Sequence, residues 1–235
     1  MYKRKRVTAV ILAAGNGSRM GIPTNKVLLP LDEQQIVSHA LGAFAAHRYV
    51  DDLILVARAG EEEWIEQIAQ VLTKPVRIVI GGATRQASVY HAIADLKSEI
   101  VLVHDGARPL IGEGCITACV EALDRYDGVI PALFVEEQIY SVGEKRGKKP
   151  RLLSQPLYGA QTPQCFNTAI LRRCHERHRN NANATDDSSL LELEGYKVGV
   201  VEGEALNIKI TTPLDLLLAK AYIDNPGRSV YDGLD

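Results

Sequence analysis

Small residues and cations occur together in the segment that follows the first apolar stretch of the chain. Leu12-Ala13-Ala14-Gly15-Asn16-Gly17-Ser18-Arg19-Met20-Gly21 contains one arginine, and Lys26 follows shortly after it. Glycine and alanine let backbone N–H groups approach an anion closely, and the two cations would neutralise phosphate charge. The segment lacks the third glycine of a dinucleotide fingerprint and the Gly-Lys-Ser/Thr of a Walker A loop. It predicts another kind of phosphate site or, alternatively, a tight turn with two solvated cations.

A second glycine pair ends a later apolar run and precedes a helical pattern. In Gly81-Gly82-Ala83-Thr84-Arg85-Gln86-Ala87-Ser88, the start of a helix would present backbone amides and a partial positive charge to an anion. Ser88 could contact a base or a ribose, and the alternative is a helix cap.

A carboxylate and a lysine follow in two further segments. Val103-His104-Asp105-Gly106-Ala107-Arg108-Pro109 offers Asp105 as an oxygen ligand for Mg²⁺ on a triphosphate, or as the partner of Arg108 in a turn. Lys209 interrupts the apolar run 206–211, which predicts a strand, so its ammonium must reach solvent or an anion.

The cysteines and histidines do not suggest other chemistry. Cys115 and Cys119 are predicted to be core residues, and His175 and His178 are predicted to lie on an exposed helix face. The histidines have no metal-ligand spacing. Cations, backbone donors and one metal-binding carboxylate, without an activated nucleophile, suit phosphoryl or nucleotidyl transfer, in which positioning and charge neutralisation supply most of the catalysis.

These residues must be positioned by strands and helices that alternate along the chain. Runs without polar alternation fit a parallel sheet that is covered on both faces, and the predicted strands are Val7–Leu12, 53–56, Val76–Ile80, 100–104 and Gly128–Phe134. Amphipathic patterns at 61–72 and 85–96 predict helices between strands. Together they predict an α/β fold whose ligands bind at the carboxyl ends of the strands.

The last predicted helix has a clear start. Thr212 is the predicted N-cap, Pro213 occupies the first helical position and Asp215 the third. The predicted buried face consists of Leu214, Leu217, Leu218, Ala221 and Tyr222.

One segment breaks the alternation of strands and helices. Residues 135–161 contain a charged turn between two short runs of strand-forming residues, which predicts a protruding β-hairpin arm rather than the alternative of a disordered loop. We expect one domain over residues 1–235 with the arm at about 135–160, and a loose tail at 225–235.

Composition excludes several classes of protein. The 235 residues are 46% hydrophobic, and 27 basic residues against 29 acidic ones give a net charge of −2, so general binding to nucleic acid or to an anionic membrane is not expected. Four cysteines without a CxxC pair, and no secretory apolar region, predict a cytoplasmic protein with reduced thiols. The basic residues 3–6 predict a frayed, solvated start, with a nucleic-acid arm as the lesser alternative.

The ordered motifs resemble those of the sugar- and alditol-phosphate nucleotidyltransferases. Among these, the chain is most similar to the 2-C-methyl-D-erythritol 4-phosphate cytidylyltransferase family of the non-mevalonate isoprenoid pathway, over about residues 7–223. The similarity rests on Ala13-Ala14-Gly15-x-Gly17-x-Arg19-Met20-Gly21 with Lys26, Gly81-Gly82-x-x-Arg85-x-x-Ser88-Val89, Val103-His104-Asp105-Gly106-Ala107-Arg108-Pro109, Gln161-Thr162-Pro163-Gln164, Thr185-Asp186-Asp187 and Asn207-Ile208-Lys209-Ile210-Thr211.

The resemblance implies a fold, a reaction and a set of site residues. The fold would be the Rossmann-like nucleotidyltransferase type A fold, and the reaction would be cytidylyl transfer from CTP to an alditol phosphate with release of pyrophosphate. By motif position, the catalytic residues would be Arg19, Lys26 and Lys209. The nucleotide would bind at Ala13, Ala14, Gly15, Gly17, Gly82, Ala83, Ser88, Asp105 and Gly106. The acceptor would bind at Arg108, Thr162 and Thr185, and Asp105 would hold Mg²⁺ or another divalent cation.

The resemblance also implies a homodimer, in which the arm reaches the active site of the partner. In the arm the chain departs from the family, with Glu137-Gln138 where members carry Asp-Thr and Ser154-Gln155 where they carry an arginine. Because these positions help to hold the acceptor in the family, ribitol-5-phosphate or another alditol phosphate is the alternative acceptor. Gly106-Ala107, where the ribitol relatives carry Ser-Val, favours the isoprenoid interpretation.

Two other classes remain as alternatives. A nicotinamide dehydrogenase would need an acidic residue at the end of the second strand, where this chain has Val56-Ala57-Arg58. A noncatalytic nucleotide-binding protein would have little need of a lysine or arginine at the transferring phosphate.

Overall fold

A mixed eight-stranded sheet forms the centre of the molecule. The computed structural model describes residues 1–15, 24–142, 150–179 and 186–225. The strands are β1 (Val7–Leu12), β2 (Pro30–Leu31), β3 (Gln34–Gln35), β4 (Asp52–Ala57), β5 (Val76–Ile80), β6 (Ile100–Asp105), β7 (Gly128–Phe134), β8 (Tyr140–Ser141), β9 (Arg151–Leu152), β10 (Tyr158–Ala160), β11 (Gln164–Asn167) and β12 (Val198–Glu202).

The order of strands in the central sheet is β5-β4-β1-β6-β11-β7-β10, and β12 pairs with β7. The neighbours β5, β4, β1 and β6 are parallel, as are β7 and β12, whereas β10 and β11 run antiparallel to their neighbours. The predicted mostly parallel sheet is therefore confirmed. All five predicted strands form, with ends that differ from the prediction by at most one residue.

Helices cover both faces of this sheet. They are α1 (Ile36–Ala46), α2 (Glu62–Gln70), α3 (Arg85–Ile93), α4 (Glu113–Ala122), α5 (Thr168–Arg177), α6 (Asp187–Leu193) and α7 (Pro213–Asp224). Helices α1, α2 and α4 pack in one apolar cluster with Ala9 and Ile11, and α3, α5 and α6 pack in another with Val10. Successive residues of a strand face opposite sides of the sheet, which explains why β1 has apolar residues on both of its faces.

Helix α7 begins as predicted but buries a different face. Thr212 and Asp215 form the reciprocal capping box, and Pro213 is the first helical residue. The helix packs through Leu216, Ala219 and Ile223 onto a small cluster. The prediction that Leu214, Leu217, Leu218, Ala221 and Tyr222 are buried is wrong, because these residues are exposed, Leu217 by 64%.

Two further predictions about local structure are wrong. The N-terminus is held rather than frayed, because the Met1 ammonium and the Arg6 guanidinium pair with Asp51 and Asp52 and Tyr2 is buried. The positive charges of Met1, Lys3 and Arg6 therefore pair with acidic residues of the same molecule. Residues 207–210 lie in no strand. The N–H of Ile210 joins this segment to the one after β6 by donating to the carbonyl of Ala107 at 2.8 Å.

The arm segment contains a short antiparallel pair. Tyr140 pairs with Leu152 and Ser141 with Arg151, as expected for the two sides of a hairpin. The turn at 143–149 and the tail after residue 225 lie outside the described residues. Within the described ranges, no helix has the length and apolar character that crossing a membrane requires.

Candidate active site

One pocket of about 540 Å³ lies at the carboxyl ends of the parallel strands. Segments that follow β1, β4, β5 and β6 line it, together with the segment that precedes α7. Of the predicted site residues it brings together Ala14, Gly15, Lys26, Gly82, Ala83, Ser88, Asp105 and Lys209. Ala13, Gly106, Arg108 and Thr162 belong to the surrounding structure. Gly17, Arg19 and Thr185 lie outside the described residues.

Asp105 is the negative charge of the pocket, and three cations surround it. Lys209 Nζ lies 2.7 Å from Asp105 Oδ2, while the Nε atoms of Arg85 and Arg108 lie at 3.8 and 3.9 Å from the carboxylate. Burial alone would raise the pKa of Asp105, but Lys209, Arg85 and Arg108 lower it to about 2. The predicted Asp105–Arg108 pair is thus the longest of three ion pairs. The ammonium of Lys209 was predicted to reach either solvent or an anion, and the anion that it contacts is the carboxylate of Asp105.

Arg85 is held from its far side by a buried carboxylate. Its Nη1 donates to Asp187 Oδ2 at 2.6 Å, and His175 Nε2 contacts the other oxygen of Asp187 at 2.9 Å. Burial disfavours the charge of Arg85, but Asp187 and Asp105 keep its pKa above the ordinary value. His175 is only 1% exposed, so the prediction that it lies on an exposed face is wrong. The reason is that α6 covers this part of α5 and supplies a partner for the imidazole.

A chain of hydrogen bonds fixes Thr162 and Arg108 beside the pocket. The backbone N–H of Asp105 donates to Thr162 Oγ1 at 3.1 Å, and Thr162 Oγ1 lies 3.1 Å from His104 Nδ1. His104 Nε2 lies 3.0 Å from the carbonyl oxygen of Arg108. Because burial lowers the pKa of His104 to about 4, its ring is neutral, and Nε2 must carry the proton that this carbonyl accepts. The Thr162 hydroxyl therefore donates to Nδ1.

The segment that carries Lys209 is tied to both of these residues. Arg108 Nη1 donates to the carbonyl of Asn207 at 2.6 Å, and Asn207 Nδ2 donates to the carbonyl of Thr162 at 2.8 Å. Gln161 exchanges hydrogen bonds with the backbone of Glu204 just before this segment. These contacts fix Arg108 and Thr162, two of the three predicted acceptor-binding residues, relative to the predicted catalytic Lys209.

The second glycine pair is packed tightly against the helix that follows it. The hydroxyl of Ser88 accepts from the N–H of Gly82 at 3.0 Å and donates to the carbonyl of Thr84 at 2.9 Å, while the Thr84 side chain caps α3. A Cβ atom on Gly82 would lie 2.5 Å from the Cβ atom of Ala87. The cap is thus Thr84 rather than Ser88, whose hydroxyl is occupied by backbone groups of the same turn.

The remaining predictions concern cysteines and metals. Cys115 and Cys119 are buried with raised pKa values, so they are core residues as predicted. Among the described residues, no three His, Cys, Asp or Glu side chains are grouped as a metal site, which leaves Asp105 as a lone carboxylate at the pocket.

Sequence reasoning missed several side chains that shape the pocket. His104 and Asp187 belong to the motifs that carry the family resemblance, each next to a residue with a predicted role. Their partners, Thr162 and His175, are distant in sequence, so these contacts could not be predicted. Arg58, which lines the pocket after β4, belongs to none of the segments that the sequence assigns to the site. Its proximity to the first glycine-rich segment could not be inferred without the order of strands in the sheet.

Comparisons with known proteins point to one family. A family model described as 2-C-methyl-D-erythritol 4-phosphate cytidylyltransferase matches residues 7–225. The chain is 40% identical over 221 residues to the protein of that name from Bacillus pumilus, covering 92% of this chain and 96% of the relative. It is 38% identical over 230 residues to that of Alkaliphilus metalliredigens, covering 95% of each chain. The crystal structure of 4-diphosphocytidyl-2C-methyl-D-erythritol synthase from Anaerococcus prevotii matches with a TM-score of 0.83 and 30% identity, covering 94% of this chain and 99% of that one.

Proposed function

The chain belongs to the 2-C-methyl-D-erythritol 4-phosphate cytidylyltransferase family, and we propose a role for each of its site residues in cytidylyl transfer. It is an enzyme of isoprenoid biosynthesis that transfers the cytidylyl group of CTP to 2-C-methyl-D-erythritol 4-phosphate. The observation that carries the assignment of roles is the cluster of Lys209, Arg85 and Arg108 around Asp105 in the pocket.

The reaction is an in-line substitution at phosphorus. A phosphate oxygen of the acceptor forms a bond to the α-phosphorus of CTP, and the bond from that phosphorus to the bridging oxygen breaks, so pyrophosphate leaves with the electron pair. The chain's task is to hold both phosphates and to stabilise the negative charge that builds up between them. In our proposal Arg19 and Lys26 neutralise the charge of the triphosphate. Lys209 leaves its ion pair with Asp105 and donates instead to an oxygen of a reacting phosphate.

The two substrates occupy different sides of the pocket in this proposal. The backbone at Ala13, Ala14, Gly82 and Ala83, with Ser88, reads cytosine, while Gly15, Gly17, Gly106 and Asp105 hold the ribose and the phosphates. The hydrogen-bonded pair Arg108 and Thr162, together with Thr185, holds the acceptor. Support for a separate acceptor side comes from the contacts of Asn207 with both Arg108 and Thr162.

A divalent cation, Mg²⁺ or a similar ion, completes the proposed site. Asp105 fits such an ion because its carboxylate stays ionised and lines the pocket, and Mg²⁺ usually takes one or two protein carboxylates together with substrate phosphates. When bound, the ion would offset negative charge on the triphosphate.

A homodimer in the cytoplasm is the proposed working form. Apolar side chains exposed on both sides of the hairpin support pairing with a second copy, and they include Tyr140, Val142, Leu152 and Leu153. Four free, buried cysteines support a reducing compartment.

The substrate assignment is tested by following pyrophosphate release from CTP. We expect a higher kcat/KM with 2-C-methyl-D-erythritol 4-phosphate than with ribitol 5-phosphate, despite Glu137 and Gln138 in the arm. Turnover with ribitol 5-phosphate alone would contradict the assignment, and turnover with neither acceptor would remove both.

The role of Lys26 is tested by removing its charge. We expect Lys26→Ala to lower kcat by about 100-fold or more, as loss of a donor to a developing charge does. The matched control is Lys97→Ala, which removes the same charge from an exposed position outside the pocket. An unchanged kcat in Lys26→Ala would contradict the proposed role.

A further inference from the structure

Two walls of the pocket are joined by a buried asparagine. Asn25 stands next to Lys26, and both line the pocket, as do Ala14 and Gly15. The Asn25 side chain is 1% exposed, and its Nδ2 donates to the carbonyl of Ala13 at 2.6 Å. This contact links the end of β1 directly to the segment that carries a proposed catalytic lysine.

A second connection between the same walls passes through the segment after β4. Asn25 Nδ2 also donates to Glu61 Oε2 at 2.8 Å, and Glu61 Oε1 pairs with Arg58 Nη1 at 3.5 Å. Arg58 Nη2 then donates to the carbonyl of Gly15 at 2.8 Å. A continuous path of side chains therefore runs from Asn25 through Glu61 and Arg58 to Gly15.

This path connects two stretches of backbone at the pocket through side chains. Asn25 and Gly15 lie ten positions apart in the sequence, and the contacts through Glu61 and Arg58 fix the distance between them. Ordering both walls before the nucleotide arrives removes an entropic cost from binding. Neither Arg58 nor Glu61 lies in any of the motifs that carry the family resemblance.

We propose that Asn25, Glu61 and Arg58 act as a clasp, a set of positioning residues that presets the nucleotide-binding walls at Gly15 and Lys26. The clasp rests on the proposed function, since it presumes that these walls receive CTP. It acts before catalysis, so its loss raises the Kd and the KM for CTP and leaves the KM for the acceptor and the unfolding temperature nearly unchanged.

Glu61→Gln is the most selective test. The amide keeps one oxygen that can accept from Asn25, but it removes the charge that holds Arg58. We expect the Kd for CTP, measured by calorimetry without acceptor, to rise by between about 2-fold and about 160-fold, the range of measured couplings within one hydrogen-bonded network. Glu63→Gln is the matched control, because Glu63 is an exposed carboxylate in the first turn of the same helix. An unchanged Kd in Glu61→Gln, or an equal rise in the control, overturns the clasp.

Arg58→Met separates the clasp from a direct contact between Arg58 and the nucleotide. If Arg58 acts through the clasp, the double variant with Glu61→Gln binds CTP no more weakly than the worse single variant. If the two losses instead multiply, Arg58 acts on the nucleotide by itself and the clasp is overturned. Failure of the unmodified enzyme to bind CTP would contradict the proposed function instead, so the two failures are distinguishable.

Discussion

At the scale of single residues, the positive charges of the pocket are arranged around one carboxylate. Asp105 remains ionised because Lys209, Arg85 and Arg108 compensate for its burial. Its folded pKa of about 2 lies below the ordinary value, so the ionised form contributes stability that is complete at neutral pH. That contribution is lost as the pH falls from about 4 toward the folded value.

Removing the ammonium closest to Asp105 should raise the pKa of this carboxyl. We expect Lys209→Met to move the Asp105 titration from about pH 2 toward the ordinary value, because the nearest compensating charge is gone while burial remains. Carbon-13 NMR of the aspartate carboxyl groups measures the midpoint. Lys220→Met, which alters an exposed lysine of α7, should leave it where it was. A midpoint unchanged by Lys209→Met would show that Lys209 does not set this charge.

His104 should act through hydrogen bonding rather than through titration. In His104→Phe a ring would still pack against Phe44, but the Thr162 hydroxyl and the Arg108 carbonyl would lose their partner. We expect a loss of about 1–3 kcal/mol in the free energy of unfolding for each buried group left unpaired, measured by urea denaturation.

Thr162→Val tests the same hydrogen bond from its other side, because it removes the hydroxyl that contacts His104. The losses of the two single variants should not add in the double variant. Full additivity would mean that the contact between the two side chains contributes nothing.

At the scale of elements, the strands approach one another too closely for side chains at certain positions. A Cβ atom on Gly106 would lie 2.9 Å from the carbonyl oxygen of Leu12, to which the Gly106 N–H also donates. The contact is with backbone, so it can be relieved only by separating the ends of β1 and β6. These two ends form the wall of the pocket that carries Asp105.

Gly106→Ala should therefore disturb both stability and nucleotide binding. We expect a loss of about 1–3 kcal/mol in the free energy of unfolding, as for other overpacked sites, together with weaker binding of CTP by calorimetry. Gly42→Ala in α1 has open space around the added methyl group and should be neutral or stabilising by about 1 kcal/mol. If Gly106→Ala behaves like this control, the strand ends are more adaptable than their contacts indicate.

At the scale of the whole molecule, the proposed sharing of the arm predicts complementation between two inactive chains. Replacing residues 138–154 by a short linker should leave β10 in place, since the N–H of Val135 already donates to the carbonyl of Leu157. We expect a mixture of this variant with Lys209→Ala to show more activity than the two samples separately, because one site per mixed dimer has both an arm and a lysine. If the activity of the mixture equals the sum of the activities of the two separate samples, each chain uses its own arm.

Periodicity and capping residues identified five strands and helices α2, α3 and α7, but they did not always identify the face that a helix buries. Helix α7 has apolar residues on more than one side, so its sequence offers two possible buried faces. The face that contains Leu216 and Ala219 is buried, because it packs on the small cluster formed by Leu31, Ile36 and Ile210. His175 looked like a surface residue because its neighbours in sequence are charged. It is buried because α6 brings Asp187 against it.

The sequence by itself determined five strands of the central sheet, helices α2, α3 and α7, and the segments that meet at the pocket, because apolar periodicity, caps and glycine-rich turns are local properties of the chain. The tertiary structure alone decided which charges compensate one another. Asp105 with Lys209, Arg85 with Asp187, and Arg58 with Glu61 and Gly15 all depend on the order of strands and the packing of helices. Arg85 and Asp187, for example, are 102 positions apart in the sequence. No local sequence pattern specifies that two such positions lie close together in the folded chain.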